Sequence, residues 1–422
     1  MISPISAEEA VKKIKSDQRI YIQAAAAAPQ TLINAFSARH EELRNVEVCH
    51  LHIEAETPYA NPEYKKSFHV NSFFLGKNVR HTLKTGNGSY TPVFLGELPI
   101  LFKKNIIDID VALIHVSPPD KHGYCSLGVS VEATLAAIDN ANLVIAQVNK
   151  NMPRTHGSGI IHVSEIDTFV ECSDSIPFHL IPEPSDIENK IGDHVANLID
   201  DRSTLQMGIG TIPNAVLSRL KNHKNLGLHT EMFSDGVIDL ILNNVINGNY
   251  KGVNRGRALT TFLMGSQRLY DYVDDNPYIE MRASNYTNDV SVIRKNPKMV
   301  AINSAIEVDV TGQVCADSIG SNMYSGVGGQ MDFIRGASYS EEGKAIIALP
   351  SVTKNGVSRI VPSLNIGAGV VTTRAHVHYI VTEYGVVNLF GKTIKERVKA
   401  LVGIAHPDHR EAIDRGYFKL LN

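Results

Sequence analysis

A chain of 422 residues, 43% hydrophobic and 20% charged, can bury a sizeable core and is longer than one domain usually is, so two domains are expected. Its 41 basic and 44 acidic residues leave a net charge of -3, so no global field favours nucleic acid or an anionic membrane surface as a partner. Four widely separated cysteines without a CxxC pair argue against a disulfide framework and a thiolate zinc site.

The N-terminal segment MISPISAEEAVKKIK mixes acidic and basic residues, whereas a secretory signal has a positive start followed by an apolar stretch. The five alanines from Ala24 to Ala28 are too few to span a bilayer, which takes roughly 20 apolar residues. Together with the cysteine pattern, these features predict a soluble protein of the reducing cytoplasm.

Helix and strand patterns alternate along the chain. Ser6 and Glu9 have capping-box spacing before an amphipathic stretch, RIYIQA predicts a strand, and PQTLINAF predicts a second helix. Further short apolar runs follow, several of them separated by helix-like segments: VEVCHLHI, DVALIHVS, ANLVIAQV, NLGLHT, KMVAINSAIEVDV, KAIIALP and HVHYIVTE. This alternation predicts an α/β fold.

A domain boundary is predicted at IPEPS (181–185), which has two prolines in four residues and precedes a helix that Ser185 and Glu188 open with capping-box spacing. The predicted domains are 1–184 and 185–422. The turns DKHG (120–123) and DVTG (309–312) each follow an apolar run and favour two related halves. Chance explains this echo equally well, because Asp-x-x-Gly is ordinary turn chemistry.

Gly208 and Gly210 precede a helical stretch in LQMGIGTIPNAVLSRL (205–220). Such a turn lets backbone N–H groups face a phosphate or an oxyanion. The segment completes neither a GxGxxG fingerprint nor a P-loop, and a glycine turn before a helix is structural in most proteins. Taken alone, it favours a structural turn over a ligand contact.

Glu231 is predicted to lie in a strand-to-helix loop, since a strand-like run ends at Thr230 and Ser234 or Asp235 can cap the next helix. Ligands bind at this edge of open α/β sheets, so a carboxylate here is a candidate reactive group. The local sequence alone nevertheless favours a solvated loop carboxylate that makes a cap or a salt bridge.

A second glycine-rich segment, SGVGGQMDFIRGA (325–337), has three glycines in four positions and is followed by Gln330, Asp332 and Arg335. Free N–H groups in such a loop can hold developing negative charge, provided that a nucleophile lies beside them. Without a nucleophile, the segment is a plain glycine-rich turn.

The pairs His50/His52 and His376/His378 each place two imidazoles on one face of a strand. A zinc site would need a third and a fourth ligand at suitable spacing, and the sequence offers none, so no metal is expected. His406 and His409 are predicted to have structural roles.

Several long motifs occur in an order that resembles the acetyl-CoA hydrolase/transferase family, a class I CoA-transferase group, and most closely its 4-hydroxybutyrate and butyrate CoA-transferase branch. They are HVSPPDKHGYCSLG (115–128), HGSGIIHVSEID (156–167), GIGTIPNAV (208–216), HTEMFSDG (229–236), AINSAIEVDVTGQVCADSIGS (301–321), GVGGQMDF (326–333), SVTKNGVSRIVP (351–362) and VTEYGVVNLFGKT (381–393). The resemblance implies two related open α/β domains with the active site in the cleft between them.

The resemblance also implies residue roles. Glu231 matches the glutamate that forms a covalent glutamyl-CoA thioester, Gly329 matches a backbone oxyanion donor, and Asn288 and Glu383 match positions that line the active site. The residues implied to contact CoA are Gln206, Met207, Gly208, Ile209, Gly210, Gly328 and Lys354. The glycine loop 206–210 is also implied to supply a second backbone oxyanion donor beside Gly329. Coenzyme A is then a substrate and a covalent intermediate, and no permanently bound cofactor is expected.

The implied reaction moves CoA between a short-chain acyl-CoA and a free carboxylate in ping-pong fashion. Hydrolysis of the acyl-CoA at the same site is the alternative, and a non-catalytic CoA-binding protein is a further one. The expected partners are acyl-CoA and short-chain carboxylates, and the resemblance implies a homodimer or a dimer of dimers.

Overall fold

The computed structural model describes residues 4–420. They form two compact units, each built from two stretches of chain. The first unit combines the chain up to Leu180 with Leu259–Thr287, and the second combines Ile181–Ala258 with the chain from Asn288 onward. The bounds 1–184 and 185–422 remain a prediction of domain organisation.

Short helices and strands alternate throughout the described residues. In chain order, the helices are α1 (Ala7–Val11), α2 (Gln30–Ser37), α3 (Thr82–Thr85), α4 (Leu98–Lys103), α5 (Thr134–Asn140), α6 (Asp186–Ala196), α7 (Thr211–Arg219), α8 (Ile238–Leu242), α9 (Gln267–Val273), α10 (Ser284–Thr287), α11 (Val290–Ile293), α12 (Gln330–Tyr339), α13 (Ile394–Ile404) and α14 (Arg410–Leu420). None of these helices has the length and apolar character needed to cross a membrane.

The strands are mostly shorter than the helices. In chain order, they are β1 (Arg19–Ile22), β2 (Val46–His50), β3 (Phe68–Ser72), β4 (Gly88–Tyr90), β5 (Val111–Val116), β6 (Tyr124–Ser126), β7 (Leu143–Asn149), β8 (His156–Gly157), β9 (Ile160–His162), β10 (Thr168–Cys172), β11 (Thr204–Met207), β12 (Gly227–Leu228), β13 (Met232–Phe233), β14 (Ala258–Thr260), β15 (Phe262–Leu263), β16 (Ile279–Met281), β17 (Met299–Asn303), β18 (Glu307–Asp309), β19 (Val314–Cys315), β20 (Ser318–Ile319), β21 (Asn322–Met323), β22 (Lys344–Ala348), β23 (Ile360–Val361), β24 (Tyr379–Thr382) and β25 (Gly385–Asn388).

The main sheet of the first unit is parallel, with strand order β10-β7-β5-β1-β2-β3-β4. The chain starts in the middle at β1, adds β2 to β4 on one side, and then adds β5, β7 and β10 on the other. Strand β5 is buried at every residue, as is typical of a parallel strand that is covered on both faces. Its first four residues (111–114) are all apolar, which is the local pattern that predicts a strand here.

The main sheet of the second unit has strand order β12-β11-β17-β22-β24-β25 and is parallel except for the final hairpin of β24 and β25. Thr204 of β11 pairs with Gly227 of β12 and with Met299 of β17. Helix α12 covers one face, where Phe333 and Ile334 join the buried core. Because β11 and β12 are parallel, both lead into loops at the same edge of this sheet.

The predicted α/β class is confirmed, and so are several local predictions. The Ser6 side chain accepts the N–H of Glu9 before α1, and Ser185 and Glu188 form both arms of a capping box before α6. NLGLHT contributes only the two residues of β12, and KMVAINSAIEVDV divides into β17 and β18. The division arises because β18 leaves the main sheet and pairs with β19 and β23 instead.

The echoed turns have the same hydrogen-bond pattern in their respective units. The Asp120 carboxylate accepts the N–H groups of the second and fourth following residues, and the Asp309 carboxylate does the same. In both turns the third following residue is a glycine with positive φ, +85° at Gly123 and +99° at Gly312. Side-chain capping of the backbone therefore accounts for the Asp and Gly that the two turns share.

Candidate active site

Thr230 ties the end of β12 to the end of β11 inside the second unit. Its buried hydroxyl oxygen lies 2.9 Å from the carbonyl oxygen of Met207 and 2.8 Å from that of Met232, and it accepts the N–H of Met207 at 3.2 Å. Glu231 stands between Thr230 and Met232 in the chain. Its backbone is therefore held beside the segment that leads into Gly208 and Gly210.

The Glu231 carboxylate is enclosed by protein, although the residue as a whole keeps partial exposure. Asn288 Nδ2 donates to Glu231 Oε2 at 3.0 Å, and the backbone N–H of Gly329 also donates to this carboxylate. Burial raises the pKa of Glu231 to about 7, and the two hydrogen bonds oppose that rise because they favour the charged form. A carboxylate with this pKa is more basic than an ordinary glutamate.

Asn288 is 1% exposed and precedes Asp289, the N-cap residue of α11. Besides its bond to Glu231, Asn288 Nδ2 donates to Oδ2 of Asp332 at 3.2 Å. Its Oδ1 is buried and has no hydrogen-bond partner within residues 4–420. Buried amide oxygens are normally hydrogen-bonded. Because this one is not so bonded within the described chain, the hydrogen bonds of Nδ2 are what hold the side chain in place.

Gly329 is the N-cap residue of α12, and it follows Gly328, whose φ is +57°. A Cβ atom added to Gly329 would lie 1.8 Å from Glu231 Oε2 and 2.2 Å from Asn288 Nδ2. Glycine is therefore required here by the close approach of two side chains. The free N–H groups and the dipole at the start of a helix favour negative charge, which suits the carboxylate.

The predicted glycine loop lies at the end of β11. Gln206 is 4% exposed and exchanges amide hydrogen bonds with Asn303 at the end of β17, with Asn303 Nδ2 donating to Gln206 Oε1 at 3.0 Å. Gly210 caps α7 with φ +141°. A Cβ added to Gly208 would meet no described atom within 4 Å, so packing does not demand glycine there.

Lys354 is an exposed residue whose charge acts on Glu188. Burial raises the pKa of Glu188, but hydrogen bonds from Thr211 and Ser185, together with the charge of Lys354, bring it below its usual value. Thr211 is the first residue of α7 and donates its hydroxyl to Glu188 Oε1. Lys354 is thus associated with the helix that begins at the glycine loop.

Glu383 follows β24 and anchors the loop that carries Lys354. Its Oε2 accepts the N–H of Ser351 at 2.9 Å, and its Oε1 accepts the Ser351 hydroxyl at 2.6 Å. These two bonds fix the start of the SVTKNG segment. They indicate that Glu383 orders the loop on which Lys354 stands.

The second unit contains all of the predicted site residues. Glu231, Asn288 and Gly329 are in direct contact, whereas the others lie at the end of β11 and in the neighbouring loops just described. Four further residues support these contacts and have no predicted role in the site: Glu188, Thr230, Asn303 and Asp332. Asp332 has a weak local signal in its position after the glycines, but its contact with Asn288 spans 44 residues and leaves no local pattern.

The histidine pairs show ordinary protein contacts. His50 Nε2 lies 3.0 Å from the Tyr59 hydroxyl, and His376 Nδ1 lies 2.8 Å from the Thr373 hydroxyl. Within the part of the chain that the structure describes, no three or more His, Cys, Asp and Glu side chains are grouped to hold a metal ion.

Comparison with known proteins gives consistent matches over both units. The family model for the acetyl-CoA hydrolase/transferase N-terminal domain matches residues 3–182, and that for the C-terminal domain matches residues 265–416. A 4-hydroxybutyrate coenzyme A transferase of Clostridium kluyveri is 48% identical over 97% of this chain and 96% of its own. A succinyl-CoA:acetate/propanoyl-CoA:succinate CoA transferase of Fasciola hepatica is also 48% identical, over 97% of this chain and 86% of its own.

The fold has solved counterparts. The crystal structure of a 4-hydroxybutyrate CoA-transferase from Porphyromonas gingivalis superimposes with a TM-score of 0.85 at 39% identity, covering 99% of this chain and 97% of that one. Relatives named as acetyl-CoA hydrolases are less similar to this chain than the transferases.

Replacement of Gly329 by alanine tests the close approach at the start of α12. The atoms that the new Cβ would meet are the ends of two side chains, so the protein should fold and move those side chains aside. We expect a crystal structure of Gly329→Ala to show Glu231 Oε2 and Asn288 Nδ2 separated by more than about 3.5 Å, too far for a hydrogen bond.

Gly403→Ala is the matched control, because an added Cβ at Gly403 in α13 would meet no described atom within 4 Å outside its chain neighbours and the backbone of its own helix. This variant should keep the native 3.0 Å bond between Glu231 and Asn288. If the hydrogen bond between Glu231 and Asn288 is unchanged in Gly329→Ala, glycine is not required at position 329.

Proposed function

Because the chain belongs to the acetyl-CoA hydrolase/transferase family, we propose that it transfers coenzyme A between a short-chain acyl-CoA and a free carboxylate. We take 4-hydroxybutyrate or butyrate as one acyl group and acetate as the other, which the names of its relatives support. The observation that carries the proposal is the buried Glu231 carboxylate in contact with two hydrogen-bond donors.

Glu231 is the nucleophile in this proposal. A carboxylate in water is a weak nucleophile, and it becomes more reactive when it is desolvated, ionised and held against the carbonyl that it attacks. Burial supplies the desolvation, and a pKa of about 7 leaves about half of the groups ionised at neutral pH. Asn288 and Gly329 fix the orientation of the carboxylate.

The first half-reaction proceeds in two steps. A Glu231 oxygen attacks the thioester carbonyl of the acyl-CoA, the C–S bond breaks, and a mixed anhydride and a CoA thiolate form. The thiolate then attacks the Glu231 carbonyl carbon of the anhydride, and the C–O bond breaks to release the free carboxylate. A glutamyl-CoA thioester remains on the enzyme. The thiolate is a tolerable leaving group in the first step because the pKa of a free thiol is about 8.5.

The second half-reaction reverses these steps with a different carboxylate. The acceptor attacks the thioester carbonyl of Glu231, CoA thiolate leaves, and a new mixed anhydride forms. The thiolate then attacks the acceptor's carbonyl carbon, which yields the new acyl-CoA and regenerates the Glu231 carboxylate. The first product leaves before the second substrate reacts, so the kinetics are ping-pong.

Two donors are available for the oxyanions of these steps. The tetrahedral intermediates form at the Glu231 carbon and at the acyl carbon beside it, and Gly329 N–H and Asn288 Nδ2 already point to Glu231 oxygen. Donors that are preorganised in this way stabilise negative charge without rearrangement, and the loss of one costs about 3–4 kcal/mol. Asn288 thus joins Gly329 as a proposed oxyanion donor.

The glycine loop and the Lys354 loop serve the remote part of CoA. We assign Gln206, Met207, Gly208, Ile209 and Gly210 to one side of CoA, and Gly328 and Lys354 to the other. The open space around Gly208 and the exposed charge of Lys354 support this assignment. Binding energy from the long CoA tail can offset the cost of reaching the anhydride, so these contacts act on turnover as well as on affinity.

The setting of the enzyme is part of the same proposal. We place it in the cytoplasm, which the four unpaired cysteines support, and we propose a homodimer or a dimer of dimers from the family resemblance. Its partners are acyl-CoA and short-chain carboxylates, with no nucleic acid, membrane or permanently bound cofactor.

A covalent intermediate gives the most direct test. Incubation with acetyl-CoA should raise the intact mass of the protein by one CoA less one water, because Glu231 becomes a thioester. Glu231→Gln should show no increase. Glu307→Gln is the matched control, because Glu307 is also a buried carboxylate hydrogen-bonded to an asparagine, Asn365, and it should label like the wild type. An unlabelled wild type would refute covalent transfer.

Release of CoA from acyl-CoA should depend on an added carboxylate. If transfer is the main activity, free thiol should accumulate slowly from butyryl-CoA in buffer, and addition of acetate should produce acetyl-CoA rapidly. The two products can be followed together by a thiol reagent and by chromatography. Rapid thiol release without acetate would instead establish hydrolysis at this site.

The pH profile should follow the ionisation of Glu231. Since the folded pKa is raised to about 7, the attacking carboxylate is present above this pH and is lost as the pH falls through it. We therefore expect kcat/KM for acyl-CoA to fall about tenfold per pH unit below 7, because this parameter reports on the free enzyme. A profile that stays flat down to pH 5 would contradict the shifted pKa.

In Asn288→Ala the acidic limb of this profile should move to higher pH. The substitution removes a hydrogen bond that favours the charged carboxylate, so the pKa of Glu231 rises.

A further inference from the structure

We propose that Asp332 is a positioning residue that keeps the amide nitrogen of Asn288 turned toward the reacting carbon of Glu231. The inference rests on the proposed function of Glu231 as a covalent carrier. The start of α12 then has two roles: Gly329 N–H donates a hydrogen bond, and Asp332 orients Asn288.

The amide group of Asn288 is shared by two carboxylates. Asn288 Nδ2 donates to Glu231 Oε2 at 3.0 Å and to Asp332 Oδ2 at 3.2 Å. An amide nitrogen has two hydrogens, so these contacts use both of them. The Oδ1 of Asn288 is buried without a partner in the described chain, and it contributes nothing to the choice of orientation.

The two carboxylates therefore decide which end of the amide faces the site. An ionised carboxylate only accepts hydrogen bonds, so a flipped amide would place Oδ1 against two negatively charged acceptors. While Glu231 is ionised, as it must be in order to attack, Glu231 and Asp332 enforce the same orientation. Either of them alone would be enough to disfavour the flip.

This redundancy ends during the reaction. When Glu231 becomes an anhydride or a thioester it loses its negative charge, and it no longer discriminates strongly between the two ends of the Asn288 amide. Asp332 takes no part in the bond changes and keeps its carboxylate. The Asp332 carboxylate therefore continues to hold Asn288 Nδ2 toward the carbon where the next oxyanion forms.

The position of Asp332 in α12 suits this role. It is 8% exposed and lies in the first turn, three residues after Gly329, where the helix dipole favours a negative charge. The same helix start thus supplies one donor from its backbone and orients the second donor through Asp332. A shift of α12 would move both together.

Asp332→Asn is the informative substitution, because its amide has nearly the same shape as the carboxylate but can donate as well as accept. It can pair with Asn288 in either orientation, so it no longer selects one. The variant should still form the glutamyl-CoA adduct, because ionised Glu231 holds Asn288 during the first attack. Loading also passes through the uncharged anhydride, so it is allowed to reach completion before discharge is timed. Discharge of that adduct by butyrate should be slower.

The measurement is a two-stage experiment followed by intact mass. Enzyme is first loaded with CoA from acetyl-CoA and freed of small molecules, and the loss of the adduct is then timed after addition of butyrate. We expect discharge to slow by on the order of tenfold in Asp332→Asn, a fraction of the loss that follows removal of a whole oxyanion donor. Glu307→Gln should discharge at the wild-type rate.

A double-mutant cycle separates positioning from a general effect on structure. If Asp332 acts through Asn288, then Asp332→Asn should change discharge by less than about twofold in an Asn288→Ala background, because coupled residues are non-additive. If the two substitutions instead slow discharge by independent factors that multiply in the double variant, the proposal is overturned. Wild-type discharge in Asp332→Asn would overturn it too, and in that case the covalent function would still stand.

The absence of an adduct in the wild type would refute the proposed function itself, which distinguishes the two failures. Asp332→Ser is measured in parallel as a second variant of different shape. A positioning role predicts that both variants fold, so loss of the folded state in both would also overturn it.

Discussion

The second unit is organised around a carboxylate that is removed from water and held by uncharged donors. A carboxylate buried without compensation would take up a proton or destabilise the fold. The Asn288 amide and the Gly329 N–H provide enough stabilisation to bring the pKa of Glu231 to about 7, so that both protonation states are accessible near neutrality. A lysine or arginine in their place would lower that pKa further and make the carboxylate a poorer nucleophile.

The same interaction explains why glycine and asparagine occur at these positions. Gly329 permits an approach that a side chain would block, and Asn288 presents a donor that carries no charge of its own. The Thr230 hydroxyl keeps the Glu231 loop next to the end of β11. Each group is common in ordinary proteins, and their chemistry depends on their convergence at one edge of a parallel sheet.

Much of the fold could be predicted from the sequence, because its signals are local. The apolar start of β5, the N-cap at Ser6 and the capping box at Ser185 are each complete within a few residues. The predicted family is confirmed by the matches to the family models of both domains. It could be predicted because several long motifs occur in the same order as in the family, which chance rarely produces. By contrast, NLGLHT contributes only the two residues of β12, and Leu226 before them forms an isolated parallel bridge with the distant Ile246.

The contacts around Glu231 were beyond local reasoning. Its own surroundings favoured a solvated loop carboxylate, and only the resemblance to a family directed attention to it. Asn288 approaches it from 57 residues away, and Asp332 approaches Asn288 from 44 residues away. Such pairings depend on the order of strands in the sheet and leave no periodic pattern.

The discontinuous make-up of the two units has a consequence for biosynthesis. The first unit is complete only when Leu259–Thr287 has been made. A nascent chain emerging from the ribosome presents residues 181–258 of the second unit, including β11, β12 and Glu231, before that segment. In the first unit, for example, Glu280 of β16 pairs with His156 of β8, which was synthesised 124 residues earlier. Strand β11 must likewise wait for β17. Neither unit can finish folding during translation before most of the polypeptide exists, so unpaired strand edges stay exposed to chaperones or to neighbouring chains for much of that time.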